Sequence, residues 1–457
     1  MYYNNNCNSM RTNELFMQQI VKTERFLNPD DIFIQQGYKI EPVVHGLNTP
    51  IGIAFTEDGD ILIADDGILS GNPKVLLLSK GNFKLIADGF NVPITGINYR
   101  NKDIYVSHRG VITIVKMDGT KQNIISGLPS NGDYSNNKVN FDADGKMYFG
   151  QGTATNSGVV GVDNDWIFNC SFFHDQPGSY IMLNGQNFET KNLLRPAAGE
   201  IAITGAYSPY GVPNLQRFEI LKGTIRASGS VLRSDPDGSK LELVAWGFRN
   251  PFIAKHDLYN RLFVTNQGYE NRGSRPIANA PDVISLIIPN TWYGFPDYSG
   301  GEPVTLPKFA PASGQQPEIL FTNHPSVPPK SFAFFPPYSN IMGLDYNQNP
   351  DFGVVNDMYI AEFGDKGRNT DTPGQDKLEV GNRIAKVDMN TGEVTTFAIN
   401  KSGFPAYIGQ GGGLSRPTDV EFGPDGAMYI SDYSITTKEN PNIYFPNTGV
   451  IWKITRV

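Results

Sequence analysis

Six times along this chain a short apolar run, a turn and a second apolar run follow one another and end on a polar residue. One hairpin cannot bury both of its faces, so six copies have to pack around a common axis. Repetition of a hairpin at this spacing marks a β-propeller. The first copy runs from Pro50 to Phe55, turns at Asp58-Gly59 and returns through Ile61 to Ala64, stopping at Asp65. The second begins at Pro93 and returns through Ile104 to Ser107, stopping at His108. The third leads from Val139 to Phe141, turns at Asp144-Gly145 and ends at Gln151. The fourth opens with Arg249-Asn250-Pro251 and returns through Leu262 to Thr265 and Asn266. The fifth goes out from Ile341 to Tyr346 and comes back from Met358 to Glu362; the sixth opens with Arg416-Pro417, turns at Asp425-Gly426 and ends at Asp432. Apolar runs bounded by turn formers are the local signature of hairpins.

The tail from Gly449 to Ile454 reads as a last strand, and the segment from Tyr38 to Val44 is placed to pair with it, closing a ring without a long free edge. The expected fold is therefore all-β: a six-bladed β-propeller over residues 38–457 with long loop insertions, preceded by an extension over residues 1–37. Within the extension the Asn-rich residues 1–9 read as disordered and Asn13 to Phe26 as a short helix. Residues 152–244 and 269–339 carry no further copy of the hairpin and are expected to wall one face of the ring as functional loops. At 457 residues the chain is long for one domain, but closed β-rich folds reach such lengths.

The net charge of -8 opposes a broad nucleic-acid surface, which needs a basic field. No stretch approaches the ~18 apolar residues of a membrane span. Met1 to Asn6 lacks the basic start and apolar stretch of a secretory signal, which leaves the compartment and the oligomeric state open. The two cysteines, Cys7 and Cys170, have no metal-ligand spacing, and the expectation is against a bridge between positions so far apart. Nucleophile elbows, phosphate-binding glycine loops, zinc-ligand clusters and dinucleotide fingerprints do not occur at their required spacings.

Because the Asp-Gly turns lie at one end of each hairpin, strand starts and polar stops share the other. That end collects Asp65, His108, Arg109, Gln151, Asn266, Glu362 and Asp432, with Arg249, Asn250 and Arg416. Converging inner strands would set these groups around the mouth of a central channel. Arginines there can grip carboxylates through paired hydrogen bonds. A polar stop is also the ordinary way to end a strand, and the Asp-Gly pairs are hairpin turns rather than calcium loops. Among the histidines, His108 ends a strand on the mouth face and His174 lies in the first insertion; either could serve as a base.

Trp246-Gly247-Phe248-Arg249-Asn250-Pro251, the strand end Asn266-Gln267-Gly268, Trp292-Tyr293-Gly294-Phe295-Pro296 and Arg416-Pro417-Thr418-Asp419-Val420 together resemble the soluble glucose/sorbosone dehydrogenase family over roughly residues 40–457. The resemblance implies a six-bladed propeller that binds pyrroloquinoline quinone and calcium over the channel and oxidises sugars. It implies that Arg249, Asn250 and Arg416 hold the quinone and that the backbone carbonyls of Gly268 and Tyr269 hold the calcium, a hard cation suited to oxygen ligands. The sequence departs from the family where a catalytic His would precede the third outgoing strand: Gly132-Asp133-Tyr134-Ser135-Asn136-Asn137 contains none. Asp133 or His108 is left to act as base, and Tyr134 only with a lowered pKa. Thr418 stands where a second clamp Arg is expected, and Lys366 and Arg368 lie near the place of the family's cofactor Lys without its context. The function expected is a quinone-dependent oxidoreductase of sugars or similar small alcohols. The alternatives are a non-catalytic carbohydrate- or protein-binding propeller and a calcium-dependent lactone hydrolase using Asp65, Asn266, Glu362 and Asp432 as ligands.

Overall fold

A computed structural model describes residues 24–312, 314–365, 380–407, 410–437 and 443–457. Its turns explain its strands. Gly59, Gly145 and Gly426 have φ of 83°, 83° and 74°, and each donates its backbone N–H back to the residue three positions earlier. This places the glycine at the left-handed position that a short hairpin loop demands, where a side chain is strained. The same bonding recurs at Gly119 and Gly238, and at Asn260, with φ of 60°.

The hairpins so formed belong to six sheets of four or five strands. The first holds Pro50–Phe55, Ile61–Asp65, Lys74–Ser79 and Asn82–Asp88, and the second Ile94–Arg100, Asp103–His108, Val111–Val115 and Lys121–Ser126. The third holds Asn140–Phe141, Met147–Gln151, Ser230–Ser234, Glu242–Trp246 and Thr291–Trp292. The fourth holds Asn250–His256, Leu262–Gln267, Asp282–Leu286 and Ala333–Phe335. Ile341–Tyr346, Met358–Glu362, Arg383–Val387, Val394–Asn400 and Ile32–Ile34 form the fifth, and Pro417–Phe422, Met428–Asp432, Gly449–Arg456 and Tyr38–Leu47 the sixth. Each of the six hairpins read from the sequence forms the first two strands of a sheet. Tyr38–Leu47 pairs antiparallel with Gly449–Arg456 from Tyr38 opposite Arg456 to Leu47 opposite Gly449.

Several expectations change. The insertions are only partly loop: residues 152–244 contribute two strands to the third sheet and residues 269–339 two to the fourth. Their apolar runs are short, but Ser230–Ser234 and Glu242–Trp246 flank a turn at Gly238 that resembles the others. The extension is likewise built into the sheets, because Ile32–Ile34 pairs with Val394–Asn400. Of the helix expected over Asn13 to Phe26, residues 13–23 lie outside the described residues, and residues 24–26 are not helical. Residues 1–9, with Cys7, and the pair Lys366 and Arg368 also lie outside them. Cys170 is buried and disulfide-bonded, against the expectation for the cysteines.

Successive first strands lie side by side: Pro50–Phe55 beside Ile94–Arg100, Asn250–His256 beside Ile341–Tyr346, and Pro417–Phe422 beside both Ile341–Tyr346 and Pro50–Phe55. Asn98 Nδ2 links the second sheet to the third through the Val139 carbonyl at 2.9 Å. Between these strands runs a belt of buried ion pairs. Lys138 bonds Asp419 at 2.7 Å and also Glu421, while Lys255 meets Asp345 at 2.7 Å and Glu421 at 3.4 Å. The apolar core lies between neighbouring sheets, in clusters such as Leu62, Ala64, Val75, Ile97 and Val106.

Candidate functional site

Most polar stops turn back into the fold. Asn266 Oδ1 accepts the backbone N–H groups of Arg249 at 3.0 Å and Asn250 at 3.1 Å. Asp432 Oδ1 does the same for Ser415 at 3.0 Å and Arg416 at 2.7 Å, and Asp65 Oδ1 accepts from Gly67 and from Thr49 Oγ1. Glu362 Oε1 accepts from Arg383 Nε at 2.8 Å, and Gln151 Nε2 donates to the Pro129 carbonyl. Buried backbone donors require such partners, so Asn266, Asp432 and Asp65 hold the entries to first strands, while Glu362 and Gln151 bond other parts of the fold. Asp65, Asn266, Glu362 and Asp432 accordingly do not meet, and no group of three or more His, Cys, Asp or Glu among the described residues could hold a metal.

Arg249 is 2% exposed. Its Nε donates to Asn156 Oδ1 at 3.0 Å, and its guanidinium lies over the Tyr134 ring, 4.6 Å from the centroid. Nη2 is buried without a hydrogen bond; Glu270 Oε1 stands 3.4 Å away, outside hydrogen-bonding geometry. Asn250 is held by Gln267 Oε1, to which its Nδ2 donates at 2.8 Å, and by Asn137 Nδ2, which donates to its Oδ1 at 3.1 Å. Arg416, on the sixth sheet, is fully buried: Nη1 donates to the carbonyls of Phe363 and Asp365, and among the described residues Nη2 has no hydrogen-bond partner.

Gly268 and Tyr269 follow the strand end at Gln267. The Gly268 N–H goes to Asp282 Oδ1 at 2.7 Å and the Tyr269 hydroxyl to the Tyr298 carbonyl at 2.9 Å. A Cβ at residue 268 would stand 2.4 Å from the Pro281 carbonyl oxygen, so only glycine fits. Among the described residues none donates to the carbonyl oxygen of either residue. Beside them Gly247, Arg249, Tyr269, Phe295 and Tyr298 line a cavity of about 20 Å³, room for one water.

Asn156 was not legible as a site residue, and it organises this corner. Its Oδ1 accepts from Arg249 Nε and from the Glu270 N–H at 3.0 Å, and its Nδ2 donates to the carbonyls of Glu270 at 2.7 Å and Arg272 at 3.2 Å. Arg272 then gathers three carboxylates: Asp133 at 2.7 Å, Asp163 and Glu270. Burial pushes the Glu270 carboxyl up, but the guanidiniums of Arg249 and Arg272 outweigh it and hold it at about 2.

The expected bases are engaged. Asp133 Oδ1 accepts from Asn164 Nδ2 and Trp166 Nε1, each at 2.9 Å, while Oδ2 is bridged to Arg272. Burial raises the Tyr134 pKa, the opposite of what a base needs. His108 sits inside the second sheet: Nδ1 accepts the Asn91 N–H at 3.1 Å and Nε2 lies 2.8 Å from Thr113 Oγ1. Burial, aided by Lys121, lowers its pKa to about 4, so it is neutral with its lone pair already used. Burial also lowers the His174 pKa, and its Nδ1 faces the Asp175 carbonyl at 2.9 Å. The structure thus joins Asp133, Arg249, Asn250 and the Gly268-Tyr269 turn through Arg272, Glu270, Asn156 and Asn266. Among the described residues no hydrogen bond or ion pair links His108, in the second sheet, or Arg416, in the sixth, to that group.

No protein-family profile and no curated protein matches this sequence. Solved structures do match. A putative oxidoreductase (glucose dehydrogenase) of Thermus thermophilus is 16% identical, with a TM-score of 0.52, and the match covers 92% of this chain and 100% of that one. The pyranose dehydrogenase PQQ domain of Coprinopsis cinerea, in its holo form, is 14% identical with a TM-score of 0.59, covering 95% and 98%. A carbohydrate-active enzyme of family AA12 from Trichoderma reesei, in a calcium structure, is 12% identical with a TM-score of 0.54, covering 96% and 100%. At such identities the likeness is one of fold, and it agrees with the resemblance read from the sequence.

Proposed function

We propose that the six sheets are the blades of a closed propeller, joined by the pairing of Tyr38–Leu47 with Gly449–Arg456, and that its mouth is a quinone-type oxidoreductase site for a sugar or similar alcohol. The observation that carries the reading is the pair of unsatisfied guanidinium nitrogens. Among the described residues Arg249 Nη2 and Arg416 Nη2 are both buried without a hydrogen bond, Arg249 having only the ion pair to Glu270 at 3.4 Å; each stands at the start of a first strand and is fixed by the polar stop of its own sheet. An unmade buried hydrogen bond costs about 1–3 kcal/mol, more at a charged group, so such donors suit a ligand's oxygens.

These residues fit pyrroloquinoline quinone, a carboxylate-bearing cofactor. Arg249 and Arg416 would hold its carboxylates and Asn250 would orient it, while the free carbonyls of Gly268 and Tyr269 are hard oxygen donors suited to calcium. When bound, the quinone supplies the two-electron acceptor, and the calcium polarises its reacting carbonyl. The chain's own part is to take the proton of the substrate hydroxyl at an Asp133 oxygen, for which the Arg272 bridge has to open. His108 is not assigned this part, since its lone pair serves Asn91. The structural likeness to sugar dehydrogenases supports the substrate class.

A carbohydrate- or protein-binding propeller without turnover is the second reading, favoured by the engagement of every candidate base. Calorimetric titration of the quinone with calcium present, followed by a dye-linked assay over a panel of aldoses, separates the two. Binding with turnover is the expected result. Binding without turnover moves the assignment to the second reading, and no binding removes the quinone site.

A further inference from the structure

Arg249 already has an anion beside it. Glu270 Oε1 lies 3.4 Å from Arg249 Nη2, and its other oxygen is bonded to Arg272 Nε. The Glu270 backbone is fixed by Asn156 on both sides, through its N–H at 3.0 Å and its carbonyl at 2.7 Å. Only the side chain is therefore free to move. Its exposure of 27% against 2% for Arg249 decides the order of encounter: a molecule arriving from solvent meets Glu270 first and the guanidinium behind it. The Tyr134 ring covers one face of that guanidinium and Asn156 occupies Nε, so the approach past Glu270 leads to the unbonded Nη2.

We propose that Glu270 is an internal counter-anion which an incoming carboxylate has to displace from Arg249, and that it sets which anions the mouth accepts. The inference rests on the reading of Arg249 as a carboxylate holder. A monocarboxylate merely replaces one ion pair by another, gaining little. A ligand with two or more carboxylates can recover the loss at a second guanidinium, and Arg416 Nη2, without a hydrogen bond among the described residues, is the candidate for it. The site thus selects a polycarboxylate and turns away simple monocarboxylic acids.

Glu270→Gln tests this, because the amide keeps the shape of the side chain and an oxygen for Arg272 while removing the competing charge. The quinone and benzoate are titrated calorimetrically, with calcium, into the wild type, Glu270→Gln and Glu270→Gln/Arg249→Ala. The expected result is quinone affinity about tenfold tighter in Glu270→Gln, benzoate binding in that variant alone, and loss of both in the double variant. Quinone binding by Glu270→Gln but not by the wild type supports the inference in its strongest form. Quinone binding by the wild type with no gain in Glu270→Gln overturns it and leaves the site standing. No quinone binding by either protein overturns the site and the inference together. Glu270→Ala, which also removes the competing charge, gives the same comparison should the Gln variant not fold.

Discussion

Asn156 makes four side-chain hydrogen bonds, two as acceptor and two as donor, the full capacity of an amide. Alanine there strands Arg249 Nε, the Glu270 N–H and two carbonyls together. Asn156→Ala should lose about 2 kcal/mol or more of stability by urea denaturation and weaken quinone binding at least about tenfold. Unchanged affinity in a folded variant would show that Arg249 does not depend on this amide. Arg249→Ala should abolish binding outright, since it removes the orphaned donor itself; calorimetry that still registers the quinone would refute the clamp. Little of this was visible in the sequence. Arg249 and Asn250 stood out because a charged residue at a strand start is unusual. Asn156, in a run of small polar residues, carries no local signal, since its partners lie 93 and 114 positions away.

At the scale of elements, the hairpins were legible because their determinants are local: a left-handed turn residue between two apolar runs. Less legible was the direction of each polar stop. A strand that ends in Asp or Asn looks the same whether that side chain faces a channel or holds the backbone of its own hairpin. The N-terminal strap shows what long-range placement adds. Ile32–Ile34 extends the fifth sheet, while Arg25 reaches the sixth, bonding Asp432 at 2.5 Å, the Gly413 carbonyl at 2.6 Å and the Thr448 carbonyl at 3.0 Å. Asp432 also holds Arg416 in place, so the strap braces one of the two arginines proposed to hold the cofactor's carboxylates. Both members of the Arg25–Asp432 pair are almost wholly buried, and removing one partner from such a pair costs about 3 kcal/mol. Arg25→Ala is expected to lose that much in chemical denaturation; a loss within about 0.5 kcal/mol, as at an ordinary surface site, would mean that the strap is dispensable.

Across the whole molecule, several buried carboxyls are more easily protonated in the fold than outside it. Burial dominates at Asp66, pushed up to about 6, and at Asp175 and Glu362, each pushed up to about 7, outweighing the hydrogen bonds that favour their ionised forms. Asp345, in the ion-pair belt between the first strands, is raised by burial in the same direction, although Lys255 opposes it. A carboxyl whose pKa is higher folded than unfolded binds more protons in the native state between those two values. Its contribution to stability is therefore present below the unfolded pKa, about 4, and is lost as pH rises through 6 to 7. Glu270, held at about 2, acts the other way, but only in acid below the unfolded value. The midpoint of guanidinium denaturation should thus fall as pH is raised from about 5 to about 8. Asp175→Asn offers the sharper check. Its amide mimics the neutral carboxyl, keeps an oxygen for the Ala154 N–H and can donate to Thr155 Oγ1, so the variant should lose that residue's share of the slope while staying folded. A slope of equal size in wild type and variant would assign the pH dependence to other groups. A midpoint that rises toward about pH 8 in the wild type would mean that the ionised forms of these carboxyls are the better accommodated, and that the fold tolerates their charge through paired partners rather than through neutralisation.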